Sequence, residues 1–427
     1  MTKIERVELL RSKRDYIYLF TLFILLFSIS LFHEYYNYKE LTKFNSQIIQ
    51  AKVLKQYKKS KILKPKKVKN YQVLKLESTK GFTFYSIASK NLPNYKGRNI
   101  EIEIWAGDIT FLSYLKNFFA FSKILKVYES DSLKESIIHF IDTAHTDRDI
   151  TLLYQALFLA KPLPYHLQKI LSDLGISHLI AISGFHLGVL SAILFFLIKS
   201  PYRFFQSRYF PYRHLKRDTF LMISILLLLY MLFLDTPPSL LRSFAMLLVG
   251  FILYDRGVKI VSMQTLLITF LLLIALFPRL LFSIGFFLSL SGVFYIFLFL
   301  IYFQNKKKLW QFLILPFWVY LMMLPYSLVL FGNFSLYHPF SIIITSLFTL
   351  FYPITIFLHF LGVGNLFDGL LEALLQIEPH AVKITLSHKI LYLDILLSFV
   401  AIFKKEALYL LLVYNLSIFI YSIYHIT

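Results

Sequence analysis

The stretch HLIAISGFHLGVLSAILFFLI, residues 178–198, decides the fold class of this 427-residue chain. It carries no charged side chain and, as a helix, is long enough to cross the hydrocarbon core of a bilayer. Eight further apolar stretches follow it, at 219–234, 240–254, 260–277, 281–303, 309–331, 338–362, 390–403 and 407–424. The sequence therefore predicts a polytopic α-helical membrane protein, with a multi-span domain over 178–427.

Composition supports a membrane location and suggests an acidic partner. Hydrophobic residues make up 57% of the chain and charged residues only 16%, against about 25% in soluble domains. This excludes an ordinary cytosolic enzyme. Forty-five Lys and Arg oppose 24 Asp and Glu, and the net charge of +21 predicts a polyanionic partner, either nucleic acid or lipid headgroups.

The first apolar run, YIYLFTLFILLFSISLF at 16–32, is predicted to be a membrane anchor within an N-terminal segment 1–33. The run lacks alanine and with it the small-residue cleavage site of a signal peptide, so we expect it to be retained. Basic residues precede it, which predicts a cytoplasmic N-terminus. Residues 34–177 then lie on the outer side of the membrane.

Residues 34–110 alternate polar and apolar side chains and are predicted to form a small β barrel. The strands are expected at Gln47–Tyr57, Tyr71–Leu76, Phe82–Ala88 and Asn99–Trp105. Between Lys39 and Asp108, sixteen basic residues face five acidic ones. This charge indicates either a solvated surface or a DNA-binding face. In the second case lysines contact phosphates and tyrosines stack on bases, and the candidates are Lys58, Lys59, Lys66, Lys67, Tyr57 and Tyr71. Phe82 and Phe84 could stack on bases as well or belong to the core.

From Phe111 to Ser177 the pattern becomes amphipathic and helical, which predicts interfacial helices. Further on, 338–362 contains Pro353, and we expect a re-entrant pair of helices hinged there. That topology places Lys404 and Lys405 in the cytoplasm and the C-terminus outside, as the distribution of positive charge favours. A single span at 338–362 would reverse both.

Polar groups within the apolar stretches are the candidates for function, because each is costly in hydrocarbon. The densest set is His178, Ser183, Gly184, His186 and Gly188. A regular helix would put the two histidines on one face, whereas an opening at Gly184 would separate them. The set could equally be a small-residue packing seam with hydrogen-bonded histidines. Further candidates for a polar route are Arg242, Ser289 and Asn333.

The sequence lacks the motifs of several kinds of chemistry. The chain has no cysteine, no P-loop and no H-E-x-x-H element, so we expect no cofactor and no metal. One enzymatic alternative is an intramembrane serine hydrolase or protease, with Ser183 activated by His186 or His178. A lipid or glycan transporter is another alternative.

The stretch LGISHLIAISGFHLGVL at 174–190 closely resembles the signature of the ComEC competence proteins, the inner-membrane channels for transforming DNA. Three other stretches resemble elements of that family in the same order. They are PSLLRSFAM at 238–246, FPRLLFSIGFFLSLSG at 277–292 and LPYSLVLFGNFSLYHPF at 324–340. Ser243 stands where the family usually has alanine, and Phe287 where it has glutamine.

The resemblance implies an outward OB-fold domain followed by a channel for single-stranded DNA. It implies further partners: a periplasmic DNA receptor, cytoplasmic ATPases or single-strand DNA-binding proteins, and membrane lipid. Many members continue into an outward metallo-β-lactamase-like domain proposed to degrade the other strand. This sequence stops at Thr427, so nuclease activity is not carried over and a transport channel rather than an enzyme is expected.

Overall fold

The computed structural model describes residues 12–64, 67–128, 132–180, 182–234, 238–258 and 261–426. They group into two compact units. One unit comprises Arg14–Phe140 with Leu271–Ser283, and the other contains Ile141–Phe270 and Ile284–Thr427.

The first unit is a β sheet preceded by a long helix. The helix α1 covers Lys13–Leu41, so it extends eight residues beyond the predicted end of the anchor at 33. The strands and short helices that follow are β1 (Gln47–Lys64), β2 (Lys67–Ser78), β3 (Thr83–Ala88), β4 (Asn99–Trp105), α2 (Phe111–Leu115), β5 (Phe118–Phe119), β6 (Phe121–Val127) and α3 (Ser132–Ala144). The four predicted strands are confirmed.

The sheet has the strand order β5-β3-β2-β1-β4-β6. Strands β5 and β6 are separated by Ala120 alone, so one stretch of chain pairs in parallel with β3 and antiparallel with β4. The pairing therefore closes on itself. The prediction that 111–177 is entirely helical is wrong over 118–127. The alternation of polar and apolar side chains over 118–127 is too short and too irregular to distinguish these strands from the amphipathic helices around them.

The alternating side chains of these strands build one apolar core, which includes Val53, Leu76, Ile100 and Ile102. Phe82 and Phe84 are 1% and 0% exposed. They belong to this core, and base stacking by either phenylalanine is excluded in this structure.

The short 3₁₀ segment Pro278–Phe282 belongs to the same unit although it lies far along the chain. Arg279 donates hydrogen bonds to the Glu34 carboxylate at 2.6 Å and to the Tyr114 hydroxyl at 2.8 Å. Its guanidinium also stacks 4.8 Å from the centre of the Tyr114 ring. Burial raises the pKa of Tyr114 to about 12, so this hydroxyl stays protonated.

The second unit is helical. Its helices are α4 (Arg148–Leu159), α5 (Tyr165–Asp173), α6 (Ser177–Ile180), α7 (Gly184–Tyr209), α8 (Leu215–Phe233), α9 (Pro238–Asp255), α10 (Met263–Leu276, which runs into the other unit), α11 (Ile284–Tyr302), α12 (Lys308–Phe331), α13 (Ser341–Phe360), α14 (Asp368–Leu375), α15 (His388–Ala401) and α16 (Lys405–Tyr424). Two strands, β7 (Asn333–Ser335) and β8 (Ala381–Lys383), pair antiparallel.

Within the described residues, six helical segments are long and apolar enough to cross a membrane: Lys13–Leu41, Gly184–Tyr209, Ile284–Tyr302, Lys308–Phe331, His338–Phe360 and Lys405–Tyr424. The fold is thus that of a polytopic helical membrane protein with a β domain near the N-terminus. The short connection between α6 and α7 shows that the predicted span 178–198 is interrupted near its start.

Helix α13 runs without interruption from Ser341 to Phe360, with Pro353 inside it. The predicted hinge at Pro353 is therefore wrong. Proline removes one backbone hydrogen bond, but helix formation by the apolar residues on both sides outweighs that loss here. The β7–β8 ladder nevertheless brings Ser335 opposite Ala381. Residues 336–380 therefore leave the β7–β8 ladder and return to it.

Candidate functional site

The connection between α6 and α7 is held by side-chain hydrogen bonds. Ser183 is the N-cap residue of α7, and its backbone N–H donates to His186 Nδ1 at 3.1 Å. The Ser183 hydroxyl lies 3.2 Å from the same nitrogen. An acceptor that reaches back from the first turn satisfies a backbone donor that the helix itself cannot. His178 and His186 consequently lie on different helices, which corresponds to the second of the two alternatives, an opening near Gly184.

Helix α9 packs tightly against this connection. The Ser239 hydroxyl donates to the Ile182 carbonyl at 2.7 Å, and a Cβ added at Gly184 would lie only 2.7 Å from the Ser243 hydroxyl oxygen. Gly184 is therefore in close contact with the Ser243 side chain of α9. Gly188 is not, because a Cβ there would meet no atom of the described structure within 4 Å.

The third family-like stretch reaches the same helix. A Cβ added at Gly285 of α11 would lie 3.6 Å from Nη2 of Arg242 on α9. The head of Arg242 therefore lies directly beside the start of α11. Three of the four stretches that resemble one family thus pack together around α9.

A cavity of about 570 Å³ lies beside the first stretch. Its polar wall includes Ser177, His178, Tyr320, Asn333 and Thr345. The ring nitrogen Nε2 of His178 is 3.3 Å from the Thr345 hydroxyl, and the Asn333 amide donates to the Asp173 carboxylate at 2.7 Å. Gly292 and Ser327 also border it, so the first, third and fourth stretches share one cavity.

A second cavity, of about 510 Å³, adjoins the first. Ser172 and Ser177 line both. The second cavity continues past Ser239 and Gln168 to Lys161. Hydroxyl and amide groups thus occur in both cavities, with Lys161 in the second, although the walls are otherwise mostly apolar.

The predicted lining residues separate into three groups. His178 and Asn333 lie on the cavity wall. Ser183, Gly184 and His186 lie at the break between α6 and α7, Arg242 lies beside Gly285 of α11, and none of the four lines either cavity. Gly188 and Ser289 are exposed and line neither cavity.

Sequence reasoning missed Asp173, Ser177, Tyr320 and Thr345. Ser177 is adjacent to His178 and could have been found by extending the polar stretch backward. Asp173 is a carboxylate just before an apolar span, a signal that the sequence contained. Tyr320 and Thr345 sit in apolar runs, and only the packing of the helices reveals them.

The β domain presents a second candidate surface, which we call the Lys–Tyr face. Residues opposite each other in an antiparallel pair point to one side of the sheet, and side chains alternate along each strand. The pairs Lys55–Lys75 and Lys59–Tyr71, with Tyr57 between them, therefore share a face. Tyr85 pairs with Lys75 on that face, and the Lys75 ammonium lies 5.8 Å from the Tyr85 ring centre.

Of the predicted DNA-binding residues, Lys59, Tyr57 and Tyr71 lie on this face. Lys58 pairs with Gln72, which is 5% exposed and points inward, so Lys58 lies on the opposite side of the hairpin. Lys67, at the start of β2, pairs with Lys64 at the end of β1. The prediction at Lys66 falls outside the described residues.

Hydrolase chemistry at Ser183 finds little support in this geometry. His186 Nδ1 already accepts the Ser183 backbone N–H, and His186 is 0% exposed. A general base in a catalytic triad needs a group that orients its second nitrogen. No described side chain bonds to His186 Nε2. The described residues also contain no group of three or more His, Asp or Glu that could hold a metal ion.

The fold and the cavities define a class: a polytopic helical membrane protein with cavities among its helices that carry a few polar groups. The family model described as Competence protein matches residues 160–425, and the chain belongs to that family. The resemblance of the four stretches is thereby confirmed. Comparison with curated proteins and with solved structures gives no match. Family membership supports a role in DNA uptake during competence and favours transport over catalysis.

Proposed function

We propose that this protein passes single-stranded DNA across the cytoplasmic membrane during natural transformation. The two adjoining cavities, which together are lined by residues of all four family-like stretches, carry the proposal. Every nucleotide bears a charge, and one charge at the centre of a bilayer costs about 2.5–3.5 kcal/mol or more. A long strand therefore needs a polar, hydrated route, which hydroxyl, amide and imidazole groups supply.

The Lys–Tyr face is the proposed site of first capture. Lysines placed between aromatic rings suit a single strand, because ammonium groups contact the phosphates while tyrosines stack on bases of any sequence. The parallel β3–β5 pairing and the closure through β6 support an OB-fold-like barrel, an architecture that binds oligonucleotides in this way. On this proposal residues 34–177 lie outside the membrane.

The remaining partners follow from the same proposal. A periplasmic DNA receptor would deliver the strand to the Lys–Tyr face. The chain has no P-loop, so cytoplasmic ATPases or single-strand DNA-binding proteins would pull it. Lipid surrounds the exposed apolar helices.

Uptake of fluorescent DNA into the cytoplasm tests the proposal. A deletion strain should accumulate DNA outside the cytoplasmic membrane, and the wild-type gene should restore entry. Thr345→Leu, which puts an apolar group into the cavity, should reduce entry at least tenfold at matched abundance. Ser289→Leu on an exposed surface is the control and should leave entry unchanged. Normal entry in the deletion strain would refute the proposal.

A further inference from the structure

Outside the cavities, three titratable groups form a buried chain of hydrogen bonds. His145 lies in the connection between α3 and α4, and its Nδ1 is 2.9 Å from the Asp368 carboxylate. Its Nε2 is 3.0 Å from Nε2 of His359. Nδ1 of His359 is 2.7 Å from the Thr355 carbonyl oxygen. The His145 side chain is 0% exposed and that of Asp368 is 13% exposed.

Counting protons fixes the charge of this chain. The Thr355 carbonyl can only accept, so His359 Nδ1 must carry a hydrogen. The contact between the two Nε2 atoms needs one hydrogen, and the contact between His145 and Asp368 needs another. Three links therefore hold three protons, which makes the carboxyl and two imidazoles neutral as a group. Neutrality is the state that burial favours.

Tyr154 packs against both imidazoles. Its ring stacks on His145 with a centroid separation of 4.4 Å and lies 4.8 Å from the centre of the His359 ring, and burial raises the pKa of Tyr154 so that it remains neutral. Gly364 lies so close that an added Cβ would be 2.9 Å from the His359 ring, which leaves the ring no room to turn away.

A metal ion fits this geometry poorly. Two nitrogens bound to one tetrahedral zinc lie about 3.3 Å apart, given bonds of about 2.0 Å. The observed separation of 3.0 Å is that of a hydrogen bond.

We propose that Asp368, His145 and His359 form a proton-binding site that fastens the end of α13 and the start of α14 to α4. When the proton leaves, one link loses its hydrogen and the group becomes an anion. Two imidazole lone pairs then face each other, or a donor is lost beside the carboxylate. Both the unsatisfied contact and the buried charge favour opening. The fastening is thus complete while this proton is bound and loses one link when the proton leaves.

The absence of cysteine allows a direct test on the full chain in detergent or nanodiscs. Arg148→Cys on α4 and Glu372→Cys on α14 would carry a pair of spin labels. Both positions are exposed and both helices belong to one unit. We expect a narrow distance distribution at about pH 7 and a broader or longer one at about pH 10, well above the ordinary histidine range.

Asp368→Asn is the matched control. Its amide can donate to His145 Nδ1, so all three links keep a hydrogen with no group left to ionise. The distribution in this variant should stay narrow at both pH values. An unchanged wild-type distribution at about pH 10, or a variant that opens as the wild type does, would overturn the proposal. Opening by a zinc chelator at about pH 7 would show a metal in place of the proton and would overturn it as well.

Discussion

The hydroxyl of Ser239 donates a 2.7 Å hydrogen bond to the backbone carbonyl of Ile182, 57 residues earlier in the chain. Ile182 belongs to the break between α6 and α7, where helical backbone hydrogen bonding stops. Such carbonyls in apolar surroundings need a partner from elsewhere. The second family-like stretch thus supplies the hydrogen-bond donor that the Ile182 carbonyl of the first stretch lacks. This is a physical reason for both stretches to occur in one chain.

Gly184 is the position where added bulk should matter most. Gly184→Leu should block DNA entry, because its Cβ would overlap the Ser243 hydroxyl, and overpacking of this kind costs about 1–3 kcal/mol. Cytoplasmic DNA arrival and transformant yield measure the effect at matched membrane abundance. Gly188→Leu, four residues along the same helix, should be tolerated. Gly184→Ala should also reduce DNA entry, and the second substitution Ser243→Gly should restore it. Failure of that rescue would contradict the packing explanation.

The effects of substitutions at Ser183 and His186 on DNA entry should rank in an order that a catalytic pair would not show. Ser183→Ala keeps the backbone N–H that bonds to His186, so DNA entry should fall only slightly. His186→Ala leaves that donor buried without its acceptor, at a cost of about 1–3 kcal/mol, and should be the more harmful change. A fluorophosphonate probe should label neither protein. Labelling lost in Ser183→Ala, together with complete loss of function, would favour the hydrolase alternative.

Binding of DNA to the Lys–Tyr face should depend strongly on salt and weakly on sequence. With about four phosphate contacts, log affinity should fall against log salt with a slope of about −3. Lys59→Glu should weaken binding and make the salt slope shallower, by the amount that corresponds to about one phosphate contact. Lys58→Glu on the opposite side of the hairpin should have a smaller effect. Titration of the purified full chain with labelled oligonucleotides checks this. Equal losses in both variants would show that the face has no special role.

Topology gives an independent prediction. Because β7 pairs with β8, the crossings between Ser335 and Ala381 should be even in number, which puts Lys404 in the cytoplasm and the C-terminus outside. A single cysteine at Lys404, in this cysteine-free chain, should resist an impermeant maleimide in intact cells and react after permeabilisation. Labelling in intact cells would reverse the assignment.

The sequence was sufficient for the membrane class and the four main strands, because hydropathy and alternation are local properties. It left open whether the helix is interrupted near Gly184. It failed where the outcome depends on distant partners. Strands β5 and β6 are recognisable only through their pairing with β3 and β4, and helix α13 continues through Pro353 despite the local signal for a hinge. Within the site, His178 and Asn333 were predictable as polar groups in apolar stretches. Tyr320 and Thr345 were not, since only the crossing of α12 and α13 beside α6 makes them cavity residues.

The central claim is that the imported strand passes through the cavity bordered by His178, Tyr320 and Thr345. A photo-crosslinking amino acid in place of Tyr320 tests it most directly, with Phe317 as the matched site, because that residue lies on the same helix, is 54% exposed and does not line the cavity. Irradiation during DNA uptake should give protein–DNA adducts at position 320 and none at 317. Equal adducts at both positions, or none at 320 while transformants still form, would contradict the proposed DNA path.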